Sequence, residues 1–194
     1  MNNAAKEKVK FGLKQLHYAL KTIGTDGAVT YEKPKPLPGA ISISLSADGD
    51  KIEFYADDMV YFSDNTNQGY TGDAELALVP DDFKTDVFGD EIINEMLYEN
   101  ADAIVKHIAL MGEFNTDVVK KRFCLYDVLC TRPEFSGKTT EKTKTPQTQK
   151  MSLTVRPIEI NGHNVVKNTT CATTSEQAFN NYFNAVPLPT SAAE

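Results

Sequence analysis

The sequence has 194 residues, 41% of them hydrophobic and 24% charged, which suits a single globular domain over residues 1–194 and excludes wholesale disorder. With 20 Lys and Arg against 27 Asp and Glu, the formal net charge of −7 argues against a grip on the phosphate backbone of nucleic acid. No run approaches the roughly 18–20 consecutive apolar residues of a membrane-spanning helix, and Met1 to Lys8 carries no secretory signal, so synthesis in a cytoplasm and no membrane partner are expected.

In chain order, residues 1–9 are polar and lysine-rich and are expected to stand apart from the core. Asp26-Gly27 marks a hairpin turn. From Gly39 to Ser46 aliphatic residues alternate with small polar ones, the period of a half-buried strand. Asp48-Gly49 reads as a tight turn, with Lys51 to Tyr55 as the returning strand of a hairpin. Asp57 to Gly72 is turn-rich yet carries Met59, Val60, Tyr61, Phe62 and Tyr70. A loop of that length with exposed aromatics is expected to meet a partner surface.

Asp73 to Val79 alternates again. Asp81 to Gly89 then reads as a short helix, opening with acids at the positive end of its dipole and closing on a glycine cap. Lys106 to Phe114, Arg122 to Cys130 and Met151 to Ile158 are strand-like, rich in β-branched and aromatic residues. Lys138 to Lys150, with four lysines, five threonines and no aliphatic residue, is expected as an exposed loop. Asn161-Gly162 signals another hairpin. Thr174-Ser175 caps a helix over Glu176 to Ala185, whose Phe179, Tyr182 and Phe183, with Val186 beyond, recur at helical spacing. Pro187 and Pro189 end it, and a short tail, 190–194, follows. The fold class is mainly β: a two-sheet sandwich or barrel with one short flanking helix and a C-terminal helix.

Charge is unevenly spread. Between Asp48 and Asp102 stand 16 acids and two lysines, a net of −14, which leaves +7 for the rest of the chain. Residues 1–21 hold five lysines and one glutamate. One acidic block between basic segments lets copies attract each other in a directed, salt-sensitive way.

Chemistry has little support. His17, His107 and His163 lie in different elements, and none is at metal-ligand spacing from a second His or a Cys. Cys124 and Cys130 are too widely spaced for a zinc knuckle. In one strand they would share a face about 20 Å apart, beyond disulfide reach. There is no nucleophile elbow and no glycine-rich phosphate loop. Asp57-Asp58 and Asp81-Asp82 are poor candidates for paired glycosidase acids, because neighbours in a strand point to opposite faces. Asp81-Asp82 reads as a helix start. Asn168-Thr169-Thr170 matches a glycosylation acceptor by chance. No enzyme, cofactor or metal is expected.

Several strings go further than composition and spacing. Lys10-Phe11-Gly12-Leu13 precedes His17-Tyr18-Ala19, and Leu37-Pro38-Gly39-Ala40 leads into Ser42-Ile43-Ser44-Leu45-Ser46. Phe54-Tyr55-Ala56-Asp57-Asp58 and the unbroken run from Gly69-Tyr70-Thr71-Gly72-Asp73 through Val79-Pro80-Asp81-Asp82-Phe83 follow. Arg132-Pro133 and Asn181-Tyr182-Phe183-Asn184-Ala185-Val186 complete the series. In that order the chain, from about Lys10 to Pro189, resembles the major tail (tail tube) proteins of long-tailed, non-contractile bacteriophages and prophages.

The resemblance implies a structural virion protein: a β-sandwich with a flanking helix that forms homohexameric rings. These stack into a tube around a tape measure protein, between tail terminator and distal tail proteins, and the tube later conducts DNA without binding it specifically. On this reading Asp57 to Gly72 is the inter-subunit loop, with Asp57, Asp58, Met59, Tyr61, Phe62 and Tyr70 as contacts. The arm 1–18 makes a second contact through Phe11, Leu13 and Tyr18. Part of the acidic block faces the lumen, with Glu53, Asp73 and Glu75 as candidates. Members of the family often carry Trp in the last helix, where this sequence has Tyr182, and many carry an added immunoglobulin-like domain that these residues lack. Two other readings are a tube protein of a bacterial secretion or injection machine, and a monomeric β-sandwich binding module such as a carbohydrate-binding domain. The latter expects Trp or Tyr on a sheet face, and the sequence has no Trp.

Overall fold

The computed structural model of the chain describes residues 8–25, 27–139 and 146–190. Residues 1–7 of the expected arm, Asp26, residues 140–145 of the Lys/Thr-rich loop and tail residues 191–194 lie outside them. Strand β1 (Lys10–Ile23) pairs with β2 (Val29–Tyr31) as a hairpin, and β3 (Lys35–Pro36) pairs along the same edge of β1. Residues 10–18 are thus no free arm. They form a strand paired with Ile108–Thr116, and its two bulges fall at Gly12 and Gln15, both with positive φ.

The next four strands form one long hairpin. β4 (Ala40–Asp48) pairs with β7 (Gly69–Leu76), and β5 (Lys51–Ala56) pairs with β6 (Met59–Asn65). The ladder continues across the break, with Gln68 N–H donating to Asp48 O and Thr66 N–H to Asp50 O. This corrects the expectation for Asp48-Gly49, which is a kink in one arm, and for Asp57 to Gly72, which is strand for most of its length. Asp57 and Asp58, at φ 51° and 59°, form the two-residue turn at the tip. Tyr70 belongs to the main sheet and not to the projecting part.

After Pro80, α1 (Asp81–Phe83) runs on as a wider π-type turn, Lys84–Phe88, and Gly89 at φ 71° caps it as expected. A small hairpin follows, β8 (Glu91–Ile93) and β9 (Met96–Tyr98). Then come β10 (Ile108–Thr116), the partner of β1, β11 (Lys121–Cys130) and β12 (Gln149–Arg156). β13 (Ile158–Ile160) and β14 (His163–Val165) turn on Asn161-Gly162. β15 (Lys167–Thr169) and α2 (Glu176–Asn180) complete the order. Ser175 caps α2 by accepting from Ala178 N–H. The helix is shorter than its apolar spacing suggested, because Asn181 leaves helical geometry and residues 181–184 continue as turns.

Among the described residues a nine-stranded antiparallel sheet runs β2-β1-β10-β11-β12-β7-β4, with β15 on β11 and β3 on β1. β11 is the corner. Its first half pairs with β15 and its second half with β12. Between Leu125 and Val128 it holds two residues, Tyr126 and Asp127, where β10 holds one, Ala109, between Leu110 and Ile108. That bulge bends the sheet until β4 comes within 8 Å of β1 without bonding to it, so the sandwich stays open-sided and no barrel closes. It also reverses the alternation. Cys124 faces one core and Cys130 the other, correcting the expectation that they share a face.

The inner core joins Leu16, Tyr18 and Leu20 of β1 to Leu76, Met151, Leu153 and Val155, and is plugged by Phe83, Val87 and Phe88. The second core lies on the other face of β1, β10 and β11, where Met111, Cys124 and Tyr126 meet Ile160, Tyr182 and Val186. Tyr18 is buried, packs edge-on to Phe83 at 4.8 Å and donates to Asp86 at 2.7 Å. It is a core residue, which removes it from the expected arm contacts. Leu13 packs against the same core, whereas Phe11 is exposed.

Candidate assembly interface

The outer half of the long hairpin, β5 with β6, touches no core. Its residues are exposed from Lys51 to Asn65, apart from a half-buried Ala56. Cross-strand pairs give it two different faces. Ile52 sits opposite Asp64, Phe54 opposite Phe62, and Ala56 opposite Met59 on one face. Lys51 opposite Asn65, Glu53 opposite Ser63, and Tyr55 opposite Val60 make the other. A bulge at Tyr61 keeps Phe62 and Met59 on the same side. Ile52, Phe54, Met59 and Phe62 are each half exposed or more, the largest being Met59 at 62%. An isolated two-stranded ribbon is marginally stable in water, and an apolar face of this kind calls for a surface to lie on.

Of the candidate contacts, Asp57, Asp58, Met59, Tyr61 and Phe62 are thus brought together on this projection, and Tyr70 and Tyr18 are not. Ile52 and Phe54, on the same apolar face, escaped the sequence reading because the aromatic loop was taken to begin after them.

A second surface is the outer face of β4, β7 and β12. Three registered rows cross it: Ser42, Glu75 and Lys150; Ser44, Asp73 and Ser152; Ser46, Thr71 and Thr154. The opposite faces of the same strands, through Ile43, Ala74 and Met151, enter the core. Asp73 accepts from Ser152 Oγ at 2.9 Å and pairs with Lys150 at 2.8 Å. The Lys150 bond first, then the Ser152 hydroxyl, holds its carboxyl below the usual range. Glu75 accepts from Thr148 and, at 3.3 Å, from Ser42. Asp73 and Glu75 therefore share a flat hydroxyl-rich wall, while Glu53 stands apart on the hairpin with Lys51 and Tyr55.

The C-terminal segment is held from below. Arg122 lies 4.0 Å from the Phe179 ring and 4.6 Å from Phe183, and donates to the carbonyl of Phe179 and to buried Glu113. Lys120 approaches Glu113 from the other side at 3.3 Å. Tyr182 donates to Asn168, and Asn168 donates to Tyr126, which donates to Pro187 O. Asn168 is thereby committed inside the protein, and its glycosylation-like triplet has no free acceptor amide.

The three histidines lie apart, each with its own partner. His17 stacks on Phe183, His107 pairs with Asp127 at 2.7 Å, and His163 meets Thr190 O. Among the described residues no group of three or more His, Cys, Asp or Glu is placed to hold a metal, and no helix is long and apolar enough to cross a membrane. Burial pushes the Cys130 thiol up to about 12, and that of Cys124 higher still. Cys171 is exposed, and the hydroxyls of Thr173 and Thr174 lower its thiol to about 7.

No family model matches the chain, and no curated protein does. Among solved structures it is similar to the cap that terminates the tube of the anti-feeding prophage, determined by cryo-electron microscopy. The likeness has 13% identity and a TM-score of 0.46, over 89% of this chain and the whole of that one. A likeness that distant assigns nothing to this chain.

Proposed function

We propose that this chain is a structural, non-catalytic subunit of a phage-type tail tube, whose copies associate into rings and stack. The observation that carries the proposal is the free hairpin β5-β6 with its uncovered apolar face of Ile52, Phe54, Met59 and Phe62. A lone domain gains nothing from that face, and a neighbouring subunit covers it. The resemblance of the Gly69 to Phe83 run and its flanking strings to tail tube proteins supports the same reading. β4 supports it as well: as the sheet's last strand it offers an unpaired edge that ring formation would occupy.

In such a tube the Ser, Thr, Asp and Glu wall on β4, β7 and β12 lines the bore. Small hydroxyl side chains and net negative charge let a DNA duplex slide past. Stacking is a head-to-tail contact and propagates as a filament. The tube would enclose a tape measure protein, end at terminator and distal tail proteins, and reside in the virion tail.

The test is negative-stain electron microscopy over a concentration series, run on the intact protein and on a variant with residues 52–64 replaced by a two-residue turn. Hollow rings or tubes of uniform width from the intact chain, and folded monomers from the variant, are expected. Identical monodisperse particles from both at every concentration would overturn the reading.

A further inference from the structure

A cleft opens where β11 leaves β12 for β15. Its volume is about 300 Å³, and Ile43 and Leu45 of β4 face Phe114, Phe123 and Leu125 across it. Three lysines rim it: Lys10, Lys121 and Lys167, and no acid lines it. Lys10 lies 4.1 Å above the Phe114 ring, and Lys167 4.4 Å above the ring of Tyr70. The site is therefore an apolar slot with a cationic mouth, suited to an aromatic or thioether side chain flanked by carboxylates.

One segment of this chain has that composition. The hairpin from Asp50 to Asn65 holds five acids, Asp50, Glu53, Asp57, Asp58 and Asp64, against Lys51 alone. Asp57-Asp58 at its tip stands beside Met59, on the apolar face with Phe54 and Phe62. It does not fold back into its own cleft. The hairpin continues the β4-β7 ladder outward from the Asp48–Gly69 pair, beside Tyr70 in the cleft wall, and reaching inward would require it to reverse. A second exposed apolar patch, Ile92, Ile93, Met96 and Tyr98 on β8-β9, is bordered by Glu91, Glu95 and Glu99 and repels an acidic tip.

Building on the tube reading, we propose that the lysine-rimmed cleft of one copy receives the hairpin tip of a second copy. Met59 and Phe62 enter the slot, and Asp57 and Asp58 meet Lys10 and Lys167. The contact is heterologous, since tip and cleft are different surfaces, so it passes from copy to copy.

Two singly substituted proteins test this, both in a Cys171→Ser background: Met59→Cys in one and Thr169→Cys, in the cleft wall, in the other. Mixed under mild oxidation they should give a disulfide-linked heterodimer. Reversal of the tip (Asp57→Lys with Asp58→Lys) or of the mouth (Lys10→Glu with Lys167→Glu) should each weaken self-association about tenfold or more in sedimentation. Mixing the two reversed proteins should restore association. Normal tubes from the reversed variants, or tubes without the cross-link, would overturn the cleft as receptor and leave the tube reading standing. A disulfide formed only within a doubly substituted monomer would place the tip in its own cleft and overturn the proposal. A parent protein that never associates would overturn both.

Discussion

Asp86 ties the π-type turn to the paired strands β1 and β3. Its Oδ2 accepts from Tyr18 at 2.7 Å and from Lys35 at 2.6 Å, so the π-type turn is pinned to β1 and β3 together. Burial pushes this carboxyl up, but the Lys35 bond, the Tyr18 hydroxyl and the positive charges of Lys35 and Lys106 outweigh it, and it sits below the usual aspartate range. Lys35 moves up in response, chiefly through its bond to Asp86. A carboxyl lower in the folded than in the unfolded chain stabilises the fold at all pH values above its ordinary value near 4. That contribution fades as the pH falls through the lowered folded value. Asp86→Asn, which keeps an acceptor for Tyr18 but loses the charge, should cost about 1 kcal/mol at pH 7. It should also flatten the loss of stability as the pH falls below about 4. Urea melts of both proteins across that range would show it; parallel curves at every pH would remove Asp86 from the acid response.

At the scale of elements, the strands were legible as strands and their partners were not. Period-two patterning located β4 and β7, whose alternate residues enter the core, while β-branched and aromatic content located β10, β11 and β12. Turn chemistry misled where it departed from Asn-Gly. Asn161-Gly162 gave its hairpin away, but Asp57-Asp58 and Asn94-Glu95 adopt the same positive-φ pair without glycine, so the first was read as a loop start and β8-β9 went unforeseen. Asp48-Gly49 carries the signal without being the turn. The apolar face of β5-β6 stayed hidden because the bulge at Tyr61 puts Met59, Val60, Tyr61 and Phe62 in an unbroken run with no visible alternation.

Two glycines of the long hairpin separate the stability of its halves. A Cβ at Gly72 would stand 2.0 Å from Ser44 O inside the main sheet, and one at Gly49 would stand 1.9 Å from Thr66 O at the base of the projection. Gly72→Ala should destabilise the whole domain by about 1–3 kcal/mol, lowering Tm by roughly 2–4 °C per kcal/mol. Gly49→Ala should leave Tm nearly unchanged while residues 51–65 lose hydrogen-exchange protection. Equal Tm losses would mean that the two halves melt as one unit.

For the molecule as a whole, the net −14 between Asp48 and Asp102 is distributed over three surface features: the hairpin, the α1 turn and β8-β9. The compensating lysines lie elsewhere, among them those at the start of β1 and on β11, β12 and β15. Some basic side chains find acids in the same copy, Lys150 with Asp73, Lys35 with Asp86, Arg132 with Asp90 and Lys21 with Asp127. Lys10 and Lys167 instead rest on aromatic rings at the cleft mouth. On the tube reading, the exposed part of this charge contributes less to the stability of one copy than to the approach of two. Exposed charges are screened beyond a Debye length of about 10 Å at 0.1 M salt and about 3 Å at 1 M. Raising salt across that range should therefore slow and weaken self-association, with an electrostatic slope that the reversed tip and mouth variants lose, while the Tm of dilute monomer shifts by only a few degrees. Light scattering against salt concentration, paired with thermal melts of dilute protein, separates the two effects. Association that strengthens with salt would show that apolar burial of the hairpin face alone drives the contact, and that the charge pattern serves only to keep copies soluble.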